Sequence, residues 1–181
     1  MTLFDVVFIE DTNVRLSIMV LMIAGLAGCV SPTLPVYTAT ERYERPDWFG
    51  SNVTGEIEGS AFFRTVGGDL RTCAGNEVTV IPVTPYASER FQFIYGNTVG
   101  GSYIRNINSP GSTPIDPNYL GDWLTTLCDV SGRFSFEDAP VGPYYVTTQV
   151  VWMAGAARQG GPIFKKIVVE EGKTTRVVIT P

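Results

Sequence analysis

Residues 132–152 read GRFSFEDAPVGPYYVTTQVVW. Over Arg133–Glu137 the side chains alternate, with Phe134 and Phe136 pointing one way and Arg133 and Ser135 the other. A period of two is that of an extended strand with one buried face. Pro140-Val141-Gly142 interrupts it as a turn. The alternation then resumes. Tyr144, Val146, Thr148, Val150 and Trp152 share one face, and Tyr145, Thr147, Gln149 and Val151 share the opposite one.

The same grammar continues on both sides. Leu124–Asp129 and Arg133–Glu137 flank Val130-Ser131-Gly132, which predicts a hairpin with Gly132 where φ can be positive. Downstream, Gly155 and Gly160-Gly161 mark a loop. Ile163–Glu170, the turn Glu171-Gly172-Lys173 and Thr175–Thr180 then predict a closing hairpin. Upstream, Thr54–Arg64 is long enough for a strand, with Ile57, Ala61 and Phe63 on one parity and Gly59 as a bulge or bend. Gly67-Gly68 is a turn, and Val78 and Val80 alternate with Thr79 and Ile81 in a strand that stops at Pro82. Turn signals at this rhythm between period-two strands predict an all-β sandwich of about seven strands.

One stretch departs from that rhythm. Thr84 offers an N-cap oxygen and Pro85 suits the first helical position. Phe91, Ile94 and Tyr95 then fall on one helical face that would pack against a sheet, and Gly96 is a left-handed stop. A strand is the competing reading, because Phe-Gln-Phe-Ile-Tyr is β-prone. Asn97 to Asp122 is rich in Gly, Asn, Ser and Pro and reads as a long loop. Loops of this length on a rigid scaffold are where binding surfaces are built. Tyr103, Arg105, Tyr119 and Trp123 are the candidate contacts, since aromatic rings and arginine dominate binding energy. Solvent-facing Tyr86, Tyr103, Tyr119 and Trp123 would indicate a sugar ligand, and a broad apolar patch a protein partner.

Gly132-Arg133-Phe134-Ser135-Phe136 followed by Pro140-Val141-Gly142-Pro143-Tyr144 resembles the G-x-F-x-F…P-x-G-x-Y pattern of carboxypeptidase regulatory-like domains in the transthyretin-like, or prealbumin-like, superfamily. Gly55-Glu56-Ile57-Glu58-Gly59-Ser60-Ala61 is similar to the family's first strand, Ala74–Val80 to its second and Val168–Gly172 to the end of its sixth. The resemblance spans residues 53–181 and implies a transthyretin-like Greek-key β-sandwich. Thr84–Asp122 departs from it as a helix and loop insertion. Such motifs specify a fold, not a reaction. The histidines and C-terminal Tyr-Arg-Gly-Ser of the superfamily's purine-pathway hydrolases are missing, since this chain has no histidine and ends Val178-Ile179-Thr180-Pro181.

The N-terminal part carries a location signal. An apolar run, Leu16 to Gly28, follows Arg15 and ends at Leu26-Ala27-Gly28-Cys29. Charge, short apolar segment and small residues are the order of a secretory signal, and the run is shorter than the roughly 20 residues of a membrane span. Its ending resembles a bacterial lipobox, which implies that residues 1–28 are removed and that Cys29 takes a lipid. Asp5, Glu10 and Asp11 are foreign to a signal n-region, so residues 1–13 read as lying ahead of the true start, with translation beginning at Val14. Val30, not Asp, follows the cysteine, which by resemblance to enteric lipoproteins implies the outer membrane, periplasmic face. Residues 29–52, with Pro32, Pro35 and Pro46, read as a semi-extended tether. Tyr43, Trp48 and Phe49 near its end read as a cap on the core of a domain running over residues 53–181.

Composition narrows the chemistry. The 181 residues carry a formal charge of −5, and the portion from Cys29 onward carries 15 acidic and 12 basic residues without a basic cluster. Nucleic acid is therefore not an expected partner. With Cys29 lipidated, Cys73 and Cys128 remain as an even pair, expected as a disulfide in an oxidising compartment. The absence of histidine removes Ser-His-Asp and Cys-His catalysis and the common zinc sites. Asp116, Asn118 and Asp122 lack calcium-loop spacing, and Glu137-Asp138 and Glu170-Glu171 read as solvated strand ends. No cofactor and no metal are expected. The expectation is a non-catalytic, membrane-anchored lipoprotein that acts as a structural or protein-interaction module of the envelope, with an envelope glycan-binding module as the alternative.

Overall fold

Strand alternation is realised in two sheets that face one another. The computed structural model describes residues 39–103 and 114–181. The apolar run, Cys29 and Arg105 lie outside the described residues. In chain order the elements are β1 (Thr54–Arg64), β2 (Leu70–Thr72), β3 (Glu77–Pro82), α1 (Pro85–Tyr95), β4 (Gly100–Ser102), α2 (Pro117–Gly121), β5 (Leu124–Leu127), β6 (Arg133–Pro140), β7 (Gly142–Ala154), β8 (Ala157–Val169) and β9 (Thr174–Ile179). The short β2 and β4, three residues each, are additions to the seven longer strands.

β1 is the centre of the first sheet. It pairs antiparallel with β6 over Thr54–Ser60, parallel with β9 over Glu56–Ala61, and antiparallel with β2 at Phe62–Arg64. The second sheet has the order β4-β8-β7-β3-β5, all antiparallel. Between them lie Ile57, Ala61, Val78, Val80, Phe134, Tyr144, Val146, Val150, Val169 and Ile179, all buried. Full burial of each large apolar side chain is worth roughly 1.5–3 kcal/mol. The expected disulfide is present. Cys73 and Cys128, both buried, bridge the turn after β2 to the turn after β5, with Cα atoms 5.8 Å apart.

The two expected hairpins are instead sheet changes. β5 pairs with β3 in the second sheet, whereas β6 pairs with β1 in the first. The turn at Val130-Ser131-Gly132 is where it was expected, held by the Asp129 carboxylate, which accepts from the Ser131 and Arg133 N–H groups at 2.7 and 2.9 Å. Likewise β8 belongs to the second sheet and β9 runs beside β1 in the first. Turn chemistry is local and gives the chain's reversal, while the partner is chosen by which face must be buried.

Three glycines also act differently from expectation. The register shift in β1 falls between Gly55 and Ile57, where Glu137 and Asp138 bulge out of β6 and Asp138 adopts φ 54°. Gly59 instead makes room, since a Cβ there would lie 2.4 Å from the Phe134 ring. Gly160-Gly161 is inside β8, not in a loop, and a Cβ on Gly160 would meet the Val150 carbonyl at 2.1 Å.

α1 is a helix, not a strand. Thr84 Oγ1 accepts from the Ala87 N–H at 3.1 Å, Pro85 opens the first turn, and Gly96 closes it at φ 74°. Its apolar face packs on the outer surface of the second sheet, as the periodicity predicts: the Phe91 ring stacks on Tyr145 at 4.0 Å and Tyr95 lies 4.3 Å from Phe164. The result is a second buried cluster with Tyr43, Ile81, Tyr86 and Tyr119. Trp48 and Phe49 pack against the first cluster, Trp48 at 5.2 Å from Tyr144. Tyr43, Trp48 and Phe49 thus pack on the core as the cap that was expected of them.

Candidate functional site

The helix covers only part of the second sheet. In the row it covers, Ile81 pairs with Tyr145. In the next, Thr79 lies between Thr125 and Thr147, and beyond that Gln149 faces Pro162. These outward positions past the helix carry hydroxyls and an amide where the covered row carries an aliphatic and an aromatic side chain. A groove of about 420 Å³ opens there, lined by Asn76, Glu77, Thr79, Trp123, Thr147, Thr148, Gln149 and Pro162.

Part of this polar lining is pinned. Thr148 Oγ1 donates to the Glu77 carbonyl at 2.6 Å, and Thr147 Oγ1 donates to the Ile163 carbonyl at 3.1 Å while lying 3.2 Å from the Tyr95 hydroxyl. Burial raises the Tyr95 phenol above its ordinary value, with the Thr147 contact pulling the other way. Gln149 and Glu77 are exposed at the groove.

Trp123 forms one wall. α2 delivers it: Asp116 accepts from the Asn118 N–H at 2.8 Å, Pro117 occupies the first turn, and the Trp123 N–H donates to the Leu120 carbonyl. The indole meets Tyr119 edge-on at 5.4 Å. Its far side borders a second groove of about 540 Å³, lined by Leu124, Thr125, Thr126, Ser135, Phe136, Glu137 and Asp138 between the edges of β5 and β6. The Trp123 Nε1 is buried and has no hydrogen-bond partner. Leaving a buried donor unpaired costs roughly 1–3 kcal/mol, and such groups in a folded protein call for a specific cause.

The four expected contacts separate. Tyr119 is 2 % exposed and Tyr86 4 %, so neither offers a ring to solvent, and the set of four solvent-facing rings that would indicate a sugar is not formed. Both are consumed in packing: Tyr86 and Tyr119 lie 4.9 Å apart with the Arg90 guanidinium over their rings at 5.6 and 6.0 Å. Tyr103 is half-buried against Tyr95, and its N–H donates to the Pro162 carbonyl at the groove wall. Arg105 lies outside the described residues. Of the three described, Trp123 alone lines the grooves. Glu77, Thr147 and Gln149 were not singled out from the sequence, although the outward parity of Thr147 and Gln149 on β7 was the signal for them.

Asp122, next to Trp123, is committed elsewhere. It is 2 % exposed and receives Arg45 Nε at 3.0 Å, Arg45 Nη2 and the Tyr43 hydroxyl. Burial pushes its carboxyl up, but the bonds from Arg45 and Tyr43 and the Arg45 charge outweigh that and hold it below the usual range. The Glu89 carboxylate on α1 likewise accepts from Thr40 N–H, Glu41 N–H and the Thr40 hydroxyl at 2.9–3.1 Å. Asp116 is thus a helix cap, and Asp122 together with Glu89 clamps residues 40–45.

No family model matches the chain, and no curated protein matches it. Among solved structures it is similar to a "putative carbohydrate binding protein" from Pseudomonas aeruginosa, at 22 % identity and a TM-score of 0.63, over 72 % of this chain and 91 % of that one. At this identity the likeness is one of fold, an all-β sandwich. The minor pilin of Streptococcus agalactiae aligns at 18 % identity and a TM-score of 0.34, over 71 % of this chain and 44 % of that one. A 9R-lipoxygenase from Cyanothece aligns at 16 % and 0.25, over 81 % and 18 %. Neither superposes closely enough to bear on the fold.

Proposed function

We propose that this chain is a non-catalytic glycan-binding module of the bacterial envelope, held at the periplasmic face of the outer membrane by a lipid on Cys29, with a sandwich of the carboxypeptidase regulatory-like kind. The observation that carries the glycan assignment is Trp123, an indole standing between two grooves, one lined by Thr hydroxyls and the Asn76 and Gln149 amides and the other by Thr and Ser hydroxyls. A sugar presents an apolar C–H face and a rim of hydroxyls. The first suits an aromatic ring, and the second suits convergent Thr, Asn and Gln groups. The described function of the Pseudomonas protein of similar fold adds support. Lipid attachment rests on the Leu26-Ala27-Gly28-Cys29 sequence.

A protein-interaction module is the second reading, favoured by Leu127 at 66 % and Val130 at 95 % exposure on either side of Cys128. Isolated apolar residues of this kind are ordinary on protein surfaces, however.

The test is retention of the purified full chain on insoluble envelope polysaccharide, with elution by soluble oligosaccharide. Trp123→Ala is expected to lower retention at least tenfold, and Trp123→Phe to keep most of it, both at wild-type helix and strand content. Equal retention by wild type and Trp123→Ala would remove the groove from consideration. An intact mass of the membrane form that still includes residues 1–28 would exclude the anchor.

A further inference from the structure

We propose that the Trp123 site selects uncharged glycan chains and rejects chains bearing carboxylate, sulfate or phosphate groups, a specificity that rests on the glycan-binding role above. Among the described residues, the ionisable side chains lining the two grooves are all carboxylates: Glu77 in the first, Glu137 and Asp138 in the second. No lysine or arginine lines either among the described residues. A chain laid across Trp123 from one groove to the other therefore meets carboxylates on both sides of the ring.

The nearby cations are directed elsewhere. Arg133 is bonded to Asp129 at 3.2 Å. Lys166 lies over the Tyr145 ring at 5.9 Å, in the part of the sheet occupied by α1. Arg45 is clamped on Asp122.

The second groove's carboxylates sit on a bulge. Register on β1 and β6 places Gly55 against Ala139 and Ile57 against Phe136, so Glu56 faces the two residues Glu137 and Asp138. Asp138 sits at φ 54°, a left-handed conformation that non-glycine residues adopt uncommonly. Bulges of this kind re-aim side chains and recur beside binding sites. They also protect exposed sheet edges from pairing, and β6 has no strand on its other side among the described residues. Edge protection alone makes no demand on ligand charge, so the two roles part company in a binding measurement.

A like-charge contact near 4 Å in water weakens binding about fivefold, and the Debye length of about 8 Å at physiological salt keeps the effect local to the grooves. Two such contacts give a discrimination on the order of tenfold to thirtyfold.

The experiment uses the full chain on an array of neutral, uronate-bearing, sulfated and phosphorylated oligosaccharides, alongside the envelope polysaccharide retention assay. The expected result is Trp123-dependent binding to neutral chains, with anionic chains of matched length at least tenfold weaker. Glu77→Gln, at the exposed start of β3, is expected to raise anionic binding several-fold relative to neutral binding. Glu137→Gln with Asp138→Asn is expected to add to it, and high salt to narrow the gap for wild type. Equal or tighter Trp123-dependent binding of anionic chains would overturn the charge selection while leaving the glycan role in place. A silent array together with no retention on envelope polysaccharide would overturn both.

Discussion

The two buried clusters of this protein are built on opposite principles. The inter-sheet core is dominated by aliphatic side chains, and its buried Tyr144 hydroxyl is settled by donating to the Pro140 carbonyl at 2.7 Å. The cluster under α1 is mostly tyrosine and phenylalanine, and it encloses Arg90 and adjoins Asp122. Three of its hydroxyls are engaged one by one: Tyr43 donates to Asp122, Tyr145 lies 3.0 Å from Ser88 Oγ, and Tyr86 accepts from the Asp116 N–H at 3.1 Å. Apolar contact is non-directional and tolerates drift, whereas each of these bonds fails if its donor shifts. The first cluster therefore supplies bulk stability, and the second supplies position, which is what a site built on Trp123 needs.

Three perturbations test this division, the largest first. Replacing Cys73 and Cys128 together by Ser releases a 55-residue separation inside the inter-sheet core. The chain-entropy estimate is about 4 kcal/mol, and chemical denaturation should show one earlier transition in which both sheets unfold together. Phe91→Ala removes the ring between Tyr145 and Phe164, with an expected loss of about 3 kcal/mol. Hydrogen exchange should then speed up in α1 and α2 while β1, β6 and β9 keep their protection. Equal acceleration in β1 would mean that the clusters are one cooperative unit and would break the comparison.

The smallest effect is expected from Asp122→Asn, about 2 kcal/mol for weakened charged hydrogen bonds. Because the fold lowers the Asp122 pKa, its contribution is complete above the ordinary aspartate value and is lost as pH falls through the lowered one. Wild-type protein should accordingly loosen around α2 and Trp123 below about pH 4, visible as a change in indole fluorescence, and Asp122→Asn should lack that step. Alkali does not separate the clusters, since burial raises the phenols of Tyr43 and Tyr119 on one side and Tyr144 on the other.

What was legible in the sequence follows the same line. The faces of β7 read correctly because a period of two is enough to separate Tyr144 from Tyr145, and α1 read correctly because Thr84, Pro85 and Gly96 are local signals. Strand partners were not legible. Gly132 and Gly172 announce reversals, but only the facing sheet decides that β6 and β9 leave their sequence neighbours for β1. Tyr119 and Trp123 look equivalent in a polar loop. Their fates diverge because the short α2 turns one toward Tyr86 and Tyr43 and leaves the other at the sheet margin. The Asp122 clamp was hidden for the same reason, its partners lying 77 and 79 positions earlier in the chain.

β1 carries a consequence for how the molecule assembles. Apart from the three pairs it makes with β2, its neighbours β6 and β9 arrive about 80 and 120 positions later in sequence. By contrast β7 and β8 zip through a tight turn at Gly155, thirteen residues against thirteen. Loop closure favours the short circuit, so β7–β8 is the natural place for order to begin. On that route both flanks of β1 beside β6 and β9 stay open until the far strands come in. During that interval its protection comes from its own composition: Glu56 and Glu58 along it discourage another copy's strand from taking the vacant place.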